Sequence, residues 1–255
     1  MSATADDPVG ILATGTGGYG ALQALRRALP HEDVVLVCDH AYAPYPRRPP
    51  RVVRDRIGRL ADELAERPVK TLLVASAAAT DEGLAFLQAR LAPLPVLGLD
   101  ATLSAAGRLA PGAVVLAIAG EGCLRSLPFW EATRRVRGPS GIAVAEWPGL
   151  RELVEQGRAD SEDAASLVRV QLATLGPEVG ALALVCPHSS ALRAMIEHAL
   201  PPAAVVVDGV ALAVERVRRQ LALSRLQARR RRPGRAIVLS TDPNRASGLA
   251  IAMRG

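Results

Sequence analysis

VGILATGTGGYGALQALRRALPHEDVVLVCD, residues 9–39, decides how the rest of the chain is read. An apolar run (9–14) ends in a glycine-rich turn. A segment with apolar side chains at helical spacing follows, and a second apolar run (33–39) ends on Asp39. Continuous apolar runs of this length fit strands buried on both faces, and a helix between two such strands makes them parallel. The alternation continues outward through TLLVAS (71–76), VLGLD (96–100), AVVLAIAG (113–120), GIAVAEW (141–147), ALALVC (181–186), AVVVDG (204–209) and AIVLST (236–241), with helix-like segments between most of them. Eight or nine strands in 255 residues predict an α/β protein of two doubly wound parallel-sheet domains. VGILATGTGG is echoed by VVLAIAGEG, and TLLVASAAAT by ALALVCPHSS. Two such halves, related by a pseudo-twofold and facing each other, would gather four strand-end loops around one cleft. Ligands of open α/β sheets bind at those carboxyl ends.

Composition narrows the class further. Apolar residues make up 49% of the chain and aromatics 3%, so the core has to be built from Ala, Val and Leu. No apolar run approaches the roughly 18 residues of a membrane-spanning helix. The acidic start MSATADDPVG is unlike a secretory signal, so a cytoplasmic protein with no membrane partner is expected. Cys38, Cys123 and Cys186 lie at wide, unrelated spacing, which suits neither a disulfide framework nor a zinc site. The net charge of +6 is almost all arginine, Lys70 being the only lysine. Its one dense run, RLQARRRRPGR (225–235), has no interleaved aromatic. It reads as a solvated helix end or loop, and no nucleic-acid partner is expected.

The first turn admits two readings. Gly15-Thr16-Gly17-Gly18-Tyr19-Gly20 satisfies G-x-G-x-x-G between a strand and a helix, with Asp39 ending the next strand, as a dinucleotide (NAD or NADP) fingerprint requires. It is equally a plain strand-to-helix turn whose free backbone N–H groups suit a carboxylate as well as a phosphate.

Over about residues 10–250 the chain resembles the aspartate/glutamate racemase superfamily. The opening stretch through Pro44-Tyr45, VKTLLVASAAAT, LALVCPHSSAL, AVVVDG and the closing VLSTDPNRASGLA carry the likeness. The resemblance implies two domains, residues 1–100 with 208–255 and residues 101–207. It also implies no cofactor, no metal, a small carboxylate-bearing substrate, and relatives that often form homodimers. Such enzymes place two cysteines on opposite faces of a substrate α-carbon, one thiolate removing the proton and the other thiol returning one.

Set onto this sequence, the likeness makes Cys186 the second catalytic cysteine and His188 its neighbouring histidine. Pro187 stands where the family has a carboxylate-binding threonine, and Glu155 falls near an acid beside that cysteine. The other half is stripped. Ser76 occupies the first cysteine's position, followed by Ala77 and Ala78 in place of an Asn-Thr pair. Ala13-Thr14, ahead of Gly15, replaces an Asp-Ser pair. Thr14, Gly15, Pro44, Tyr45, Ser76, Ala77, Ala78, Glu155 and Pro187 are therefore expected to line the binding site, with Arg47 or Arg48 able to hold a carboxylate. Gly120 and Cys123 replace family threonines, and Cys123 reads as a buried or cleft-lining residue. A serine hydroxyl is too weak an acid to act as a base without a general base beside it, and none is visible next to Ser76. Ordinary two-thiol glutamate racemisation is therefore not expected. Three functions follow: one-cysteine proton transfer of decarboxylase or isomerase type, a non-catalytic binding or interaction protein on the same fold, and an NAD(P)-binding enzyme.

Overall fold

A computed structural model of the chain describes residues 3–136, 141–242 and 244. The end of the closing segment matched to the family, Pro243 and residues 245–250, lies outside them. Nine strands are described: β1 (Val9–Ala13), β2 (Val34–Cys38), β3 (Thr71–Val74), β4 (Val96–Leu97), β5 (Val114–Ile118), β6 (Ile142–Ala145), β7 (Val179–Leu184), β8 (Val205–Asp208) and β9 (Ala236–Ser240). The helices are α1 (Gly17–Ala28), α2 (Pro50–Ala65), α3 (Ala77–Leu91), α4 (Thr102–Leu109), α5 (Glu121–Leu124), α6 (Leu127–Arg135), α7 (Leu150–Glu155), α8 (Glu162–Leu172), α9 (Pro187–Ala191), α10 (Arg193–Ala199) and α11 (Gly209–Leu223). Each of the nine apolar runs holds a strand, β7 alone starting two residues ahead of its run.

Two sheets form, both wholly parallel, in the orders β4-β3-β1-β2-β9 and β6-β5-β7-β8. The echo in the sequence is an echo in topology. β1 pairs with β2 and β3, and β3 with β4. Likewise β5 pairs with β6 and β7, and β7 with β8. The first sheet then gains β9 beside β2. Backbone hydrogen bonds fix the register of the likeness: Ala75 N donates to the Leu12 carbonyl, and Val185 N to the Ile118 carbonyl. Ser76 and Cys186, one residue further on, are thus equivalent positions in the two halves.

Every residue of β1, β2 and β3 is buried because helices cover both faces of the sheet. On one face α1 and α11 pack Leu22, Leu25, Val214 and Val217 against Ile11 and Leu36. On the other, α2 presents Val53, Ile57, Leu60 and Leu64 at helical spacing to Leu12, Val35 and Leu72. Two further clusters do the same for the second sheet, around Phe129 and Leu103 on one side and Trp147 and Ile196 on the other.

The basic run is not simply a solvated helix end. The chain leaves α11 at Ser224, and Arg225 adopts φ +56°. The run then folds back on the acids that precede β2. Arg230, only 12% exposed, pairs with Asp33, and Ala228 N donates to Glu32. Glu32 in turn forms a buried ion pair with Lys70 at 2.5 Å, so the single lysine is a structural anchor.

Candidate functional site

The carboxyl ends of β1, β3, β5 and β7 surround a cavity of about 260 Å³ between the two sheets. Thr14, Gly15, Pro44, Tyr45, Ser76, Ala77 and Ala78 line it from the first-sheet side. Glu155, Cys186, Pro187 and His188 line it from the second, so every residue expected at the site is brought to this one space.

On the second-sheet wall Cys186 ends the β7 segment and precedes α9, in which Pro187 takes the first-turn position that needs no N–H donor. His188 follows and places Nε2 2.9 Å from Glu155 Oε1, which α7 supplies. Cys186 Sγ lies 3.5 Å from Ser189 Oγ, and both Ser189 and Ser190 hydroxyls donate to the Cys186 carbonyl. Burial works against charge on Cys186. Hydrogen bonding and positive charge from His188, with help from Ser189, outweigh it and hold the thiol below its ordinary value. For His188, burial favours the neutral ring, but Cys186 and Glu155 overcome it and raise the ring to about 9. The wall therefore carries a cysteine whose thiol is lowered by a neighbouring protonated imidazole, which a carboxylate steadies.

The first-sheet wall differs at the equivalent point. Ser76 is the N-cap of α3: its Oγ accepts from Ala79 N at 3.3 Å and lies 2.9 Å from Thr14 Oγ1. Its hydrogen-bond partners are thus a hydroxyl and a backbone N–H. Ala75, Ala77 and Ala78 make the surrounding surface apolar. Cys123 also lines the cavity but is only 2% exposed and packs into the second-sheet core. Burial pushes its thiol well above the ordinary value.

The Pro44-Tyr45 pair is positioned by Asp39. That carboxylate is fully buried and accepts from Tyr45 Oη at 2.6 Å, from Arg56 Nε and Nη2 at 2.7 Å each, and from Thr241 Oγ1 at 2.7 Å. Burial alone would raise Asp39, but these donors hold it below the usual carboxylate range. Both oxygens that a dinucleotide ribose would need are thus engaged within the chain. The glycine turn has its own packing reason. A Cβ on Gly17 would come within 2.8 Å of Pro187 Cβ, and one on Gly18 within 2.4 Å of Ala13 Cβ. Those two glycines let α1 close against α9 across the cleft and against its own strand. Of the two candidate arginines, Arg47 lines the cavity, while Arg48 stacks 4.7 Å over the Tyr42 ring and does not.

Sequence reading missed several lining residues, among them Glu121, Trp147, Arg151 and Glu152. These sit on α5, on the turn after β6 and on α7, where no motif marks them. Ser189 was findable, since a hydroxyl three residues after a cysteine at a helix start faces back toward it. Among the described residues no group of three His, Cys, Asp or Glu side chains could hold a metal ion, and no helix is long and apolar enough to cross a membrane.

No family model matches the chain. Its relatives are nonetheless consistent. It is 33% identical over 252 residues to the glutamate racemase of Deinococcus radiodurans, covering 97% of this chain and 86% of that protein. To the glutamate racemase of Methylococcus capsulatus it is 29% identical over 250 residues, covering 97% and 92%. The crystal structure of glutamate racemase from Thermus thermophilus in complex with beta-chloro-D-alanine matches 99% of this chain and 94% of its own, with a TM-score of 0.79 and 28% identity. The chain belongs to the glutamate racemase family, within the aspartate/glutamate racemase superfamily.

Proposed function

We propose that this protein transfers a proton at a carbon next to a carboxylate, using Cys186 as its single working thiol with His188 and Glu155 behind it. The observation that carries the reading is the contrast between two equivalent positions. Cys186 is activated by His188, whereas Ser76 spends its oxygen on capping α3 and on Thr14. In this reading residues 1–100 with 208–255 form the unit that presents Ser76 and Thr14, and residues 101–207 form the unit that presents Cys186.

One thiol suffices when the carbanion arises without a second base. Loss of CO₂ from a carboxylate leaves an electron pair on the neighbouring carbon. The Cys186 S–H donates its proton there, and the resulting thiolate is held by protonated His188 until solvent returns a proton. The net change is carboxylate plus a proton giving CO₂ and a C–H bond. Glu155 keeps the imidazole oriented and charged. An isomerisation in which Cys186 takes a proton from one carbon and returns it, on the same face, to another carbon of the same conjugated system uses the same groups.

A second reading, ordinary glutamate racemisation, is favoured by the activity for which the relatives are named. It needs a base opposite Cys186, where this wall presents Ser76 bonded to Thr14. Proton NMR in D₂O separates the readings, with D- and L-glutamate, aspartate and malonate-type acids as substrates. Turnover that disappears in Cys186→Ala supports the proposal, and full turnover in that variant sinks it. Deuterium entering glutamate, with interconversion of its enantiomers, would establish the second reading. Binding by titration calorimetry without turnover of any of these acids would leave a non-catalytic binding protein.

A further inference from the structure

We infer that a face at the amino-terminal edge of the first sheet binds the phosphodiester backbone of double-stranded nucleic acid, without reading its sequence. As a solvated segment, the run 225–235 gives no reason to expect such a partner. The fold changes both its order and its surroundings. Gly234 N donates to the Pro30 carbonyl at 2.8 Å and Arg235 N to Asp33 Oδ1 at 2.6 Å, while His31 Nδ1 lies 3.1 Å from the Arg232 carbonyl. With Ala228 N bonded to Glu32 and Arg230 paired with Asp33, the run is fastened along its length to the turn between α1 and β2. That turn follows the last turn of α1, which carries exposed Arg26 and Arg27. They join Arg225, Arg229, Arg231 and Arg235, which are exposed too. The ion pairs among the described residues leave out all six. The acids beside them already face other cations: Asp6 and Asp33 face Arg230, Glu32 faces Lys70, and Glu215 faces Arg218 and Arg219.

A fastened backbone has given up its freedom before a partner arrives, which lowers the cost of binding. Guanidinium forks match phosphate oxygens bidentately. The run and the last turn of α1 hold no aromatic ring on which an unpaired base could stack, so a duplex held through its backbone fits better than a single strand. A bilayer surface calls for an apolar face beside the charges, and the large exposed apolar side chain next to the run is Leu223. The strands of the first sheet are parallel and the cleft lies at their carboxyl ends, so this face is at the opposite edge from the cleft. The inference is therefore independent of the proton-transfer reading.

Fluorescence anisotropy of labelled, mixed-sequence DNA and RNA duplexes, two helical turns long, tests this with the full chain. If about four to six arginines replace counterions, affinity should fall about 100- to 2,000-fold between about 50 and 200 mM salt, a log–log slope of roughly −3.5 to −5.5. Arg229→Gln, Arg231→Gln and Arg235→Gln together should make that slope shallower by about 2.7, and Arg26→Gln with Arg27→Gln by about 1.8, at about 0.9 per contact. A charge-matched control, Arg59→Gln with Arg108→Gln and Arg134→Gln, changes exposed residues of α2, α4 and α6 and should keep the wild-type slope. The duplex bound more tightly identifies DNA or RNA as the partner. Failure to bind either duplex at about 50 mM salt overturns the inference. So does a slope that neither variant of the face alters, or one that the control alters equally. Binding to phosphatidylglycerol vesicles that neither duplex displaces would assign the face to a membrane surface and overturn it as well.

Discussion

Replacing His188 with Asn tests the electrostatics of the site most directly. The imidazole is raised to about 9 and is charged at pH 7, and it is the main influence opposing burial at the Cys186 thiol. A hydrogen bond to a charged group contributes about 1.5–3 kcal/mol, and 1.36 kcal/mol moves a pKa by one. The variant should therefore raise the Cys186 midpoint by roughly one to two. Alkylation at pH 7 should slow about 3- to 15-fold, once the greater nucleophilicity of a more basic thiolate is allowed for. The assay is iodoacetamide labelling between pH 5 and 10, read peptide by peptide by mass spectrometry. The other two thiols make good internal controls: burial pushes Cys38 up to about 12 and Cys123 well above its ordinary value, so neither should label in the folded protein at pH 7. Glu155→Gln should give a smaller rise, because Glu155 acts through the imidazole. An unchanged Cys186 midpoint in His188→Asn would refute the reasoning, and so would labelling of Cys123 at a comparable rate. The sign extends to stability. His188 is raised on folding, so its contribution is complete below its unfolded value of about 6.5. It is lost as pH rises through about 9.

Other substitutions probe the frame. Asp81 is raised from 3.8 to about 7, chiefly by burial, so it costs stability as pH rises between those values; Asp81→Asn should flatten that decline and stabilise the protein at pH 8 by up to roughly 4 kcal/mol in urea denaturation. Arg56→Ala leaves buried Asp39 with only Tyr45 and Thr241. Because the guanidinium is 26% exposed, the expected loss is about 2–4 kcal/mol, somewhat below that for breaking a fully buried pair. Asp39 is held low, so its contribution is present above the ordinary carboxylate value and disappears as pH falls through the folded one; acid sensitivity measured by circular dichroism should shrink in the same variant. Ser76→Ala removes the α3 cap and should cost about 1 kcal/mol in the same urea titration.

The strands were the most legible part of the sequence because both sheets are parallel and covered on both faces. Burial on two sides writes a continuous apolar run, and that signal survives even in β6 and β9, which are only half-buried. Helix interiors were less legible. LRSLPFWEATRRV (124–136) reads as one amphipathic segment, but Leu124 ends α5 and α6 starts only at Leu127, where Ser126 caps it by accepting from Phe129 N. The helix entering the basic run ends at Leu223, earlier than its arginine-rich continuation implies. Nothing local announces that Arg230 will find Asp33 almost 200 positions away, or that Asp39 will anchor Tyr45 instead of a ligand. Pairings over such distances are fixed by which strands become neighbours, and periodicity carries no information about that. The site was legible where chemistry is dense in sequence, at Cys186-Pro187-His188. It was opaque on the short helices α5 and α7, where Glu121 and Glu152 are ordinary surface residues until the fold brings them to the cleft.

The two halves show what the same backbone position does with oxygen or with sulfur. A serine at the start of a helix is among the best N-caps, and Ser76 caps the 15-residue helix α3. A thiol caps poorly, and Cys186 makes no side-chain cap to α9. The second half recovers order by other means. α9 is only five residues long, Ser189 and Ser190 bond the Cys186 carbonyl, and Ser190 also donates to Asp208 at 2.6 Å, the residue that caps α11. These contacts hold the loop while leaving the sulfur to His188 as its charged partner. An oxygen at residue 76 thus stabilises its helix and becomes chemically committed, whereas a sulfur at residue 186 stays available because neighbouring serines do the structural work. In the function proposed above, the asymmetry of the cleft is a division of labour set by atom type, with proton chemistry assigned to the half whose side chain does not cap a helix.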